Sequence, residues 1–289
     1  MKRFIASGWL EAGGLSPPRR MDAVGSADLI LEAMQHRPVL IVGDVQGDVE
    51  RLREALAPYP ADDVDTVFLG DFFQGGEPGA AGGAAAARLV MQRRNSRAVL
   101  GNHDLFLLVI LERSRGVTEL AEWRTRDGIS IEELWLSRRG DWADLHAVAE
   151  DAELEGWLRG LPFMLMLDDS TLVQHTDDDR YAELGATVDE VNAAVSRHLN
   201  RPGGVLTALR YTIGRHAFAD EQRLQRYLTH FGARRVVHGH TPHWGDAPVA
   251  LHDGRVISFD GRFSRFWSDI PDDSGPISAT VALLPELPA

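Results

Sequence analysis

Arg97-Ala98-Val99-Leu100 runs directly into Gly101-Asn102-His103-Asp104, an apolar, β-prone stretch that ends in a group of polar residues. A buried strand of a layered α/β protein has this form when it delivers polar side chains at its carboxyl end. The arrangement recurs at three other places. Val39-Leu40-Ile41-Val42 leads into Gly43-Asp44-Val45-Gln46-Gly47, Thr66-Val67-Phe68-Leu69 into Gly70-Asp71, and Arg235-Val236-Val237 into His238-Gly239-His240-Thr241-Pro242. Ligands of open α/β sheets bind beyond the carboxyl ends of the strands. Asp, Asn and His are oxygen and imidazole donors for divalent cations. A single Gly-Asp after a strand is most often a turn, and Asn-His-Asp can be an Asx turn or a helix cap. Four such ends in order predict a metal site.

Working outward, Asp48 is placed to cap a helix through Leu52 and Leu56, and a second helix is expected from about Ala80 to Arg93, after a glycine-rich loop. From about 105 to 161 the apolar spacing turns helical, which predicts a helical insertion. Two hairpins follow: Phe163–Leu167 with Thr171–His175, and Val249–Leu251 with Arg255–Phe259. Between them, residues 187 to 232 read as mostly helical. The last strand is expected at Ala279–Leu284. Helix-linked early strands and hairpin-linked late ones predict a mixed sheet or two packed sheets flanked by helices. Residues 1–37 read as an extension, with a short helix from Leu29 to His36 capped by Asp28, ahead of a domain spanning 38–289.

Bulk properties narrow the function classes. The 289 residues, 44% hydrophobic and 25% charged, suit one large globular domain or two. A net charge of −13 argues against a nucleic-acid polymer as partner. No apolar run approaches a membrane span, and the N-terminal apolar stretch is too short for a signal peptide. With no cysteine there is no disulfide, thiolate nucleophile or Cys-ligated zinc, and a cytoplasmic location is expected.

Asp44 and Asp71 at separate strand ends can converge. A carboxylate can bridge two cations, and two cations about 3.5–4 Å apart suit attack of hydroxide on phosphorus. Asn102 offers a neutral oxygen; His175, His238 and His240 offer imidazole. As a set, Gly-Asp-x-x-Gly, Gly-Asp, Gly-Asn-His-Asp, a strand-borne His and Gly-His-Thr-Pro resemble the calcineurin-like metallophosphoesterase superfamily. The branch holding the Ser/Thr protein phosphatases and symmetrical diadenosine tetraphosphatases is the most similar, over roughly residues 38 to 262. The resemblance implies a four-layer α/β/β/α sandwich with two divalent ions, manganese foremost and iron or zinc as alternatives. It implies Asp44 and Gln46 on the first ion, Asp71 bridging, and Asn102, His175 and His240 on the second. It also implies that His103 donates a proton to the leaving oxygen and that His238 packs beside the site rather than ligating.

Three positions depart from the family pattern. Gln46 replaces a ligating His, and a neutral amide oxygen is the weaker donor, so lower occupancy of the first site is expected. Gln74 stands where an Asp would orient the proton donor. Gly75 stands where an Arg would clamp phosphate. Arg180, Arg210 and Arg215 are candidate replacements for the clamp. Asp104 is expected to cap the following helix or to hold His103, and Asp260 lies either near the metals or in a turn. The resulting expectation is a metal-dependent hydrolase of a phosphorylated protein, nucleotide or small molecule. Its competitors are a dinucleoside polyphosphate hydrolase, such as a diadenosine tetraphosphatase, and a degenerate member that binds metal without turnover.

Overall fold

The computed structural model describes residues 37–117, 123–267 and 273–286. The expected helix at Leu29–His36, with its Asp28 cap, lies outside these residues. Strand β1 (Val39–Val42) leads to helix α1 (Val49–Leu56), whose first turn is capped by Asp48 accepting from Arg51 N at 3.2 Å. Then follow β2 (Asp65–Phe68), α2 (Gly82–Gln92), β3 (Ser96–Ala98) and α3 (Asn102–Ser114). Three further helices, α4 (Ile131–Ser137), α5 (Trp142–Ala149) and α6 (Ala152–Gly160), fill the stretch read as an insertion.

The second half opens on the antiparallel pair β4 (Met164–Met166) and β5 (Thr171–Gln174). Helices α7 (Val188–Leu199), α8 (Gly204–Leu209) and α9 (Glu221–Phe231) precede β6 (Arg235–His238). The hairpin of β7 (Val249–Leu251) and β8 (Val256–Ser258) comes next. Strand β9 (Val281–Leu283) is shorter than expected, because Ile277–Ala279 forms a 3₁₀ turn instead.

The strands form two mixed sheets, in the orders β3-β2-β1-β9 and β4-β5-β6-β8-β7. Within them, β1, β2 and β3 run parallel, as do β5, β6 and β8. Side chains alternate along each strand. Ile41, Val67 and Val99 of one sheet meet Val173, Val237 and Ile257 of the other in a common buried cluster. Their neighbours Leu40, Val42, Phe68, Leu172, Val236 and Val256 belong to the cluster formed with the helices. Both faces of each sheet are therefore covered, which explains why the strands read as unbroken apolar runs. The result is the α/β/β/α layering expected.

Several long-range polar contacts tie the helical stretch to the first half, among them one at the start of α2. Helix α2 begins after Ala81, a left-handed residue with φ +51° that offers no side-chain cap. The Asp144 carboxylate of α5 takes that place, accepting from Ala84 N at 2.9 Å. Burial pushes its carboxyl up to about 7, against the hydrogen bond from Ala84.

Candidate metal centre

The four polar strand ends meet at one edge of the two sheets. Asp71 follows β2 and adopts φ +53°, Gln46 follows β1 at φ +49°, and His240 follows β6 at φ +64°. Left-handed backbone is uncommon for residues other than glycine, and such strain is concentrated at functional sites. Two motif glycines are fixed by close approach. A Cβ on Gly101 would overlap Oδ1 of Asp71, and one on Gly239 would overlap Oδ1 of Asp44. Each carboxylate thus lies directly against the backbone of a different strand end.

Backbone hydrogen bonds hold those carboxylates. Asp71 Oδ1 accepts from His103 N at 2.8 Å, at the N-terminus of α3, where a helix favours negative charge. Asp44 accepts from His240 N at 3.0 and 3.2 Å through its two oxygens. Asp104 accepts three backbone N–H groups: Gly101 at 2.9 Å, Asp71 at 3.0 Å and Phe72 at 2.8 Å. It caps α3, and it also fastens the Asp71 loop to that helix. Its contacts are to backbone and not to the His103 ring.

Asp71, His175 and His240 bring one potential ligand atom each within 4.8 Å of one another, all buried. His175 Nδ1 lies 2.7 Å from the Leu69 carbonyl, which can only accept, so Nδ1 carries a hydrogen. Its Nε2 then faces Asn102 Oδ1 at 2.9 Å and Asp71 Oδ1 at 3.3 Å. Three electron-rich atoms meet there, and the arrangement is satisfied by positive charge between them: a proton on Nε2, or a cation. Both ring nitrogens of His240, Oε1 of Gln46 and Oδ2 of Asp260 are buried without a hydrogen-bond partner. Buried polar atoms of native proteins are normally paired, and their clustering here fits divalent ions held by oxygen and imidazole.

Electrostatics point the same way. Burial opposes ionisation of Asp71, but the neighbouring charges of His175 and His103 outweigh it and hold the carboxyl below its usual range. Burial also disfavours charge on His175, yet Asp71 raises its pKa overall. Asp44 is raised by burial and by the like charges of Asp260 and Asp71. His240 is lowered, first by burial and then by His175 and Arg215, so its ring stays neutral and able to ligate. Excess negative charge that cannot all ionise unaided is what a cation relieves.

The remaining expected residues divide. The His103 ring stands with Nε2 3.7 Å from Asp71 Oδ2, and its Nδ1 is buried without a partner. Gln74 does not orient it; the Gln74 amide donates instead to Trp135 O at 3.3 Å. His238 packs with Nδ1 2.8 Å from Gly239 O. Arg215 donates to the carbonyl of His240, while Arg180 is ion-paired with Asp178 at 2.6 Å and Arg210 is exposed. Of the three arginines, only Arg215 is in contact with a candidate ligand. Asp260 is buried and its charge bears on Asp44. The sequence carried a signal for it, since Asp260-Gly261 follows a strand as the other motifs do. Trp267 and Arg138 carried none. Trp267 sets its ring edge-on to His103, centroids 5.4 Å apart at 84°, and the charge of Arg138 acts on His103.

A family model for calcineurin-like phosphoesterases matches residues 37–244. The chain belongs to that family. It is a phosphoester hydrolase of the metallophosphoesterase fold, a family that uses divalent metals. Among solved structures, the phosphoesterase is similar to the cold-active protein-tyrosine phosphatase of a psychrophilic Shewanella species. That likeness has 19% identity over 86% of this chain and 81% of the other, with a TM-score of 0.55. A protein serine/threonine phosphatase from Saccharomyces cerevisiae matches at 12% identity over 81% and 70% of the two chains, TM-score 0.47. A metallophosphoesterase from Sphaerobacter thermophilus matches at 16% identity over 78% of each chain, TM-score 0.43. At 19% identity the likeness to the first shows a shared fold. Among curated proteins, none matches the sequence. Among the described residues, no helix is long and apolar enough to cross a membrane.

Proposed function

We propose that the phosphoesterase hydrolyses phosphomonoesters with two divalent ions, manganese first among them, held between the strand ends. The observation that carries this reading is the convergence of Asp71, His175 and His240 around buried, unpartnered imidazole nitrogens. Asp44 and Gln46 would hold the first ion, Asp71 both, and Asn102, His175 and His240 the second. When bound, such ions supply an activated water as nucleophile and offset charge on the phosphoryl oxygens.

The chain's own residues do the rest. The Leu69 carbonyl fixes the His175 tautomer so that Nε2 points inward. Asp104 and the His103 amide set the position of Asp71. His103 donates a proton to the leaving oxygen. Burial lowers its pKa to about 4, against the pull of Asp71, and a phosphoryl dianion beside the ring would draw that value upward. Arg215, which donates to the His240 carbonyl, would meet phosphoryl oxygens in the role a residue at Gly75 does not fill.

The catalytic unit in this reading begins at residue 38 and carries the helical stretch of about 105–161 as its insertion. A chain without cysteine suits the reducing cytoplasm, and its net charge of −13 suits a small or peptide-borne phosphate better than a nucleic-acid polymer. The test is hydrolysis of a phosphopeptide and of diadenosine tetraphosphate by the manganese-loaded chain, side by side. Faster release of phosphate from the monoester is expected. Preferential cleavage of the dinucleotide would overturn this choice of substrate.

A further inference from the structure

The loss of a side chain at Gly75 and the position of Trp267 are two sides of one arrangement. A Cβ on Gly75 would collide with Cε3 of the Trp267 ring, so no larger residue fits at 75 while Trp267 stands where it does. The indole also reaches His103, edge against face. Gln46 closes the same corner, its Cβ lying 3.5 Å from the place a Gly75 Cβ would take. Trp267 therefore lies among two of the three positions that depart from the family pattern and the residue proposed as proton donor.

The segment that carries Trp267 is pinned at successive residues. Arg51 Nη1 donates to Phe263 O at 2.7 Å, and Ser264 Oγ donates to Gly75 O at 2.6 Å. Arg265 forms a bidentate pair with Asp48 at 2.7 and 2.8 Å, and Arg139 donates to Phe266 O at 2.9 Å. A half-buried tryptophan on a segment held this firmly can take a ligand ring at little entropic cost.

We infer that Trp267 is a specificity-determining platform for the leaving group, and that the substrate class is the phosphate ester of a phenol. This rests on the phosphomonoesterase reading above. The leaving oxygen lies at His103. In an aryl phosphate the ring is bonded directly to that oxygen, so it falls beside the indole, whereas the base of a nucleotide is separated from its phosphate by a ribose. The acid chemistry agrees. His103 has no partner on Nδ1, and Gln74 is turned toward Trp135, so no carboxylate orients the ring from that nitrogen. A phenol ionises near pH 10, far more readily than an alkyl alcohol, and depends less on a strong proton donor. In the step, the oxygen of water bonds to phosphorus as the phosphorus–aryl oxygen bond breaks. The proton of His103 passes to the phenolic oxygen, giving a phenol and inorganic phosphate, and the ring recovers a proton from the attacking water.

The test uses the full chain with manganese, comparing wild type, Trp267→Leu and Trp267→Phe on phosphotyrosine, phosphoserine and adenosine 5′-monophosphate. Wild type is expected to favour phosphotyrosine. Trp267→Leu should raise KM for phosphotyrosine about three- to tenfold with little change for phosphoserine, and Trp267→Phe should recover most of the loss. Equal effects on both amino-acid substrates, no effect on either, or preference for the nucleotide would overturn the inference. Binding of phenylphosphonate against methylphosphonate reads the same platform without turnover. Tighter phenyl binding in wild type, lost in Trp267→Leu, supports it, and equal affinities contradict it. If neither wild type nor variants hydrolyse any ester while the phenyl preference persists, the hydrolase reading fails and the platform stands.

Discussion

The carboxylate of Asp104 accepts the backbone N–H of Asp71 at 3.0 Å, joining the end of β2 to the first turn of α3. Through its bonds to Phe72 and Gly101 the same carboxylate sets the distance between two strand ends that each deliver a candidate ligand. Burial pushes its carboxyl up to about 7, with Asp71 adding to the rise. A buried carboxyl with three donors aimed at it is a structural clamp on the candidate metal site.

Replacing that clamp should be costly. Asp104→Ala leaves buried N–H groups without an acceptor, each worth about 1–3 kcal/mol, so a loss of at least ~3 kcal/mol is expected. Thermal unfolding measures the loss. Manganese affinity should fall in the same variant, because Asp71 and Asn102 are no longer held in register. A variant with wild-type melting temperature would contradict the clamp.

Gln46 is expected to make the two proposed metal positions unequal. Its amide oxygen is a weaker donor than imidazole, so a manganese titration of wild type should show one tight and one weak event per chain. Gln46→His should tighten the weak event by roughly tenfold, since His also tolerates the left-handed backbone found there. Two equally tight events in wild type would count against this view of the first site.

Asp144 gives a prediction in pH that is independent of metal. Its carboxyl is raised to about 7 from 3.8, so the folded chain holds this proton more firmly than the unfolded one. Between those values the native state binds more protons, and the contribution of Asp144 to stability falls as pH rises, levelling off above about 7. Asp144→Asn keeps an acceptor for Ala84 N but has no proton to lose. The melting temperature of wild type relative to the variant should therefore be higher near pH 4.5 than near pH 8. Parallel curves across that range would show that Asp144 ionises as readily folded as unfolded.

Much of this molecule was legible in its sequence because strand ends carry local signals. Apolar runs ending in Gly-Asp, Gly-Asn-His-Asp and Gly-His marked the parallel strands, and turn residues marked both hairpins. The pairing of β9 with β1 was not legible, since it joins the two ends of the described fold. The contact of Asp144 with α2 was equally hidden: it spans 60 residues and rests on burial, which no local pattern reports. At the site, the motif residues could be expected to converge, but which arginine would face them could not. Arg215 is there because the loop before α9 folds back onto His240. Trp267 was invisible for the same reason, since the four residues before it are held by contacts to residues 51, 75, 48 and 139.

The proposed hydrolysis depends on ions held at Asp71. Manganese binding and p-nitrophenyl phosphate hydrolysis, measured together on wild type and Asp71→Asn, test it most directly. Wild type should gain activity in step with manganese bound, and Asp71→Asn should lose both while remaining folded by circular dichroism. Full activity in Asp71→Asn, or hydrolysis by wild type that is indifferent to manganese and to a chelator, would contradict it.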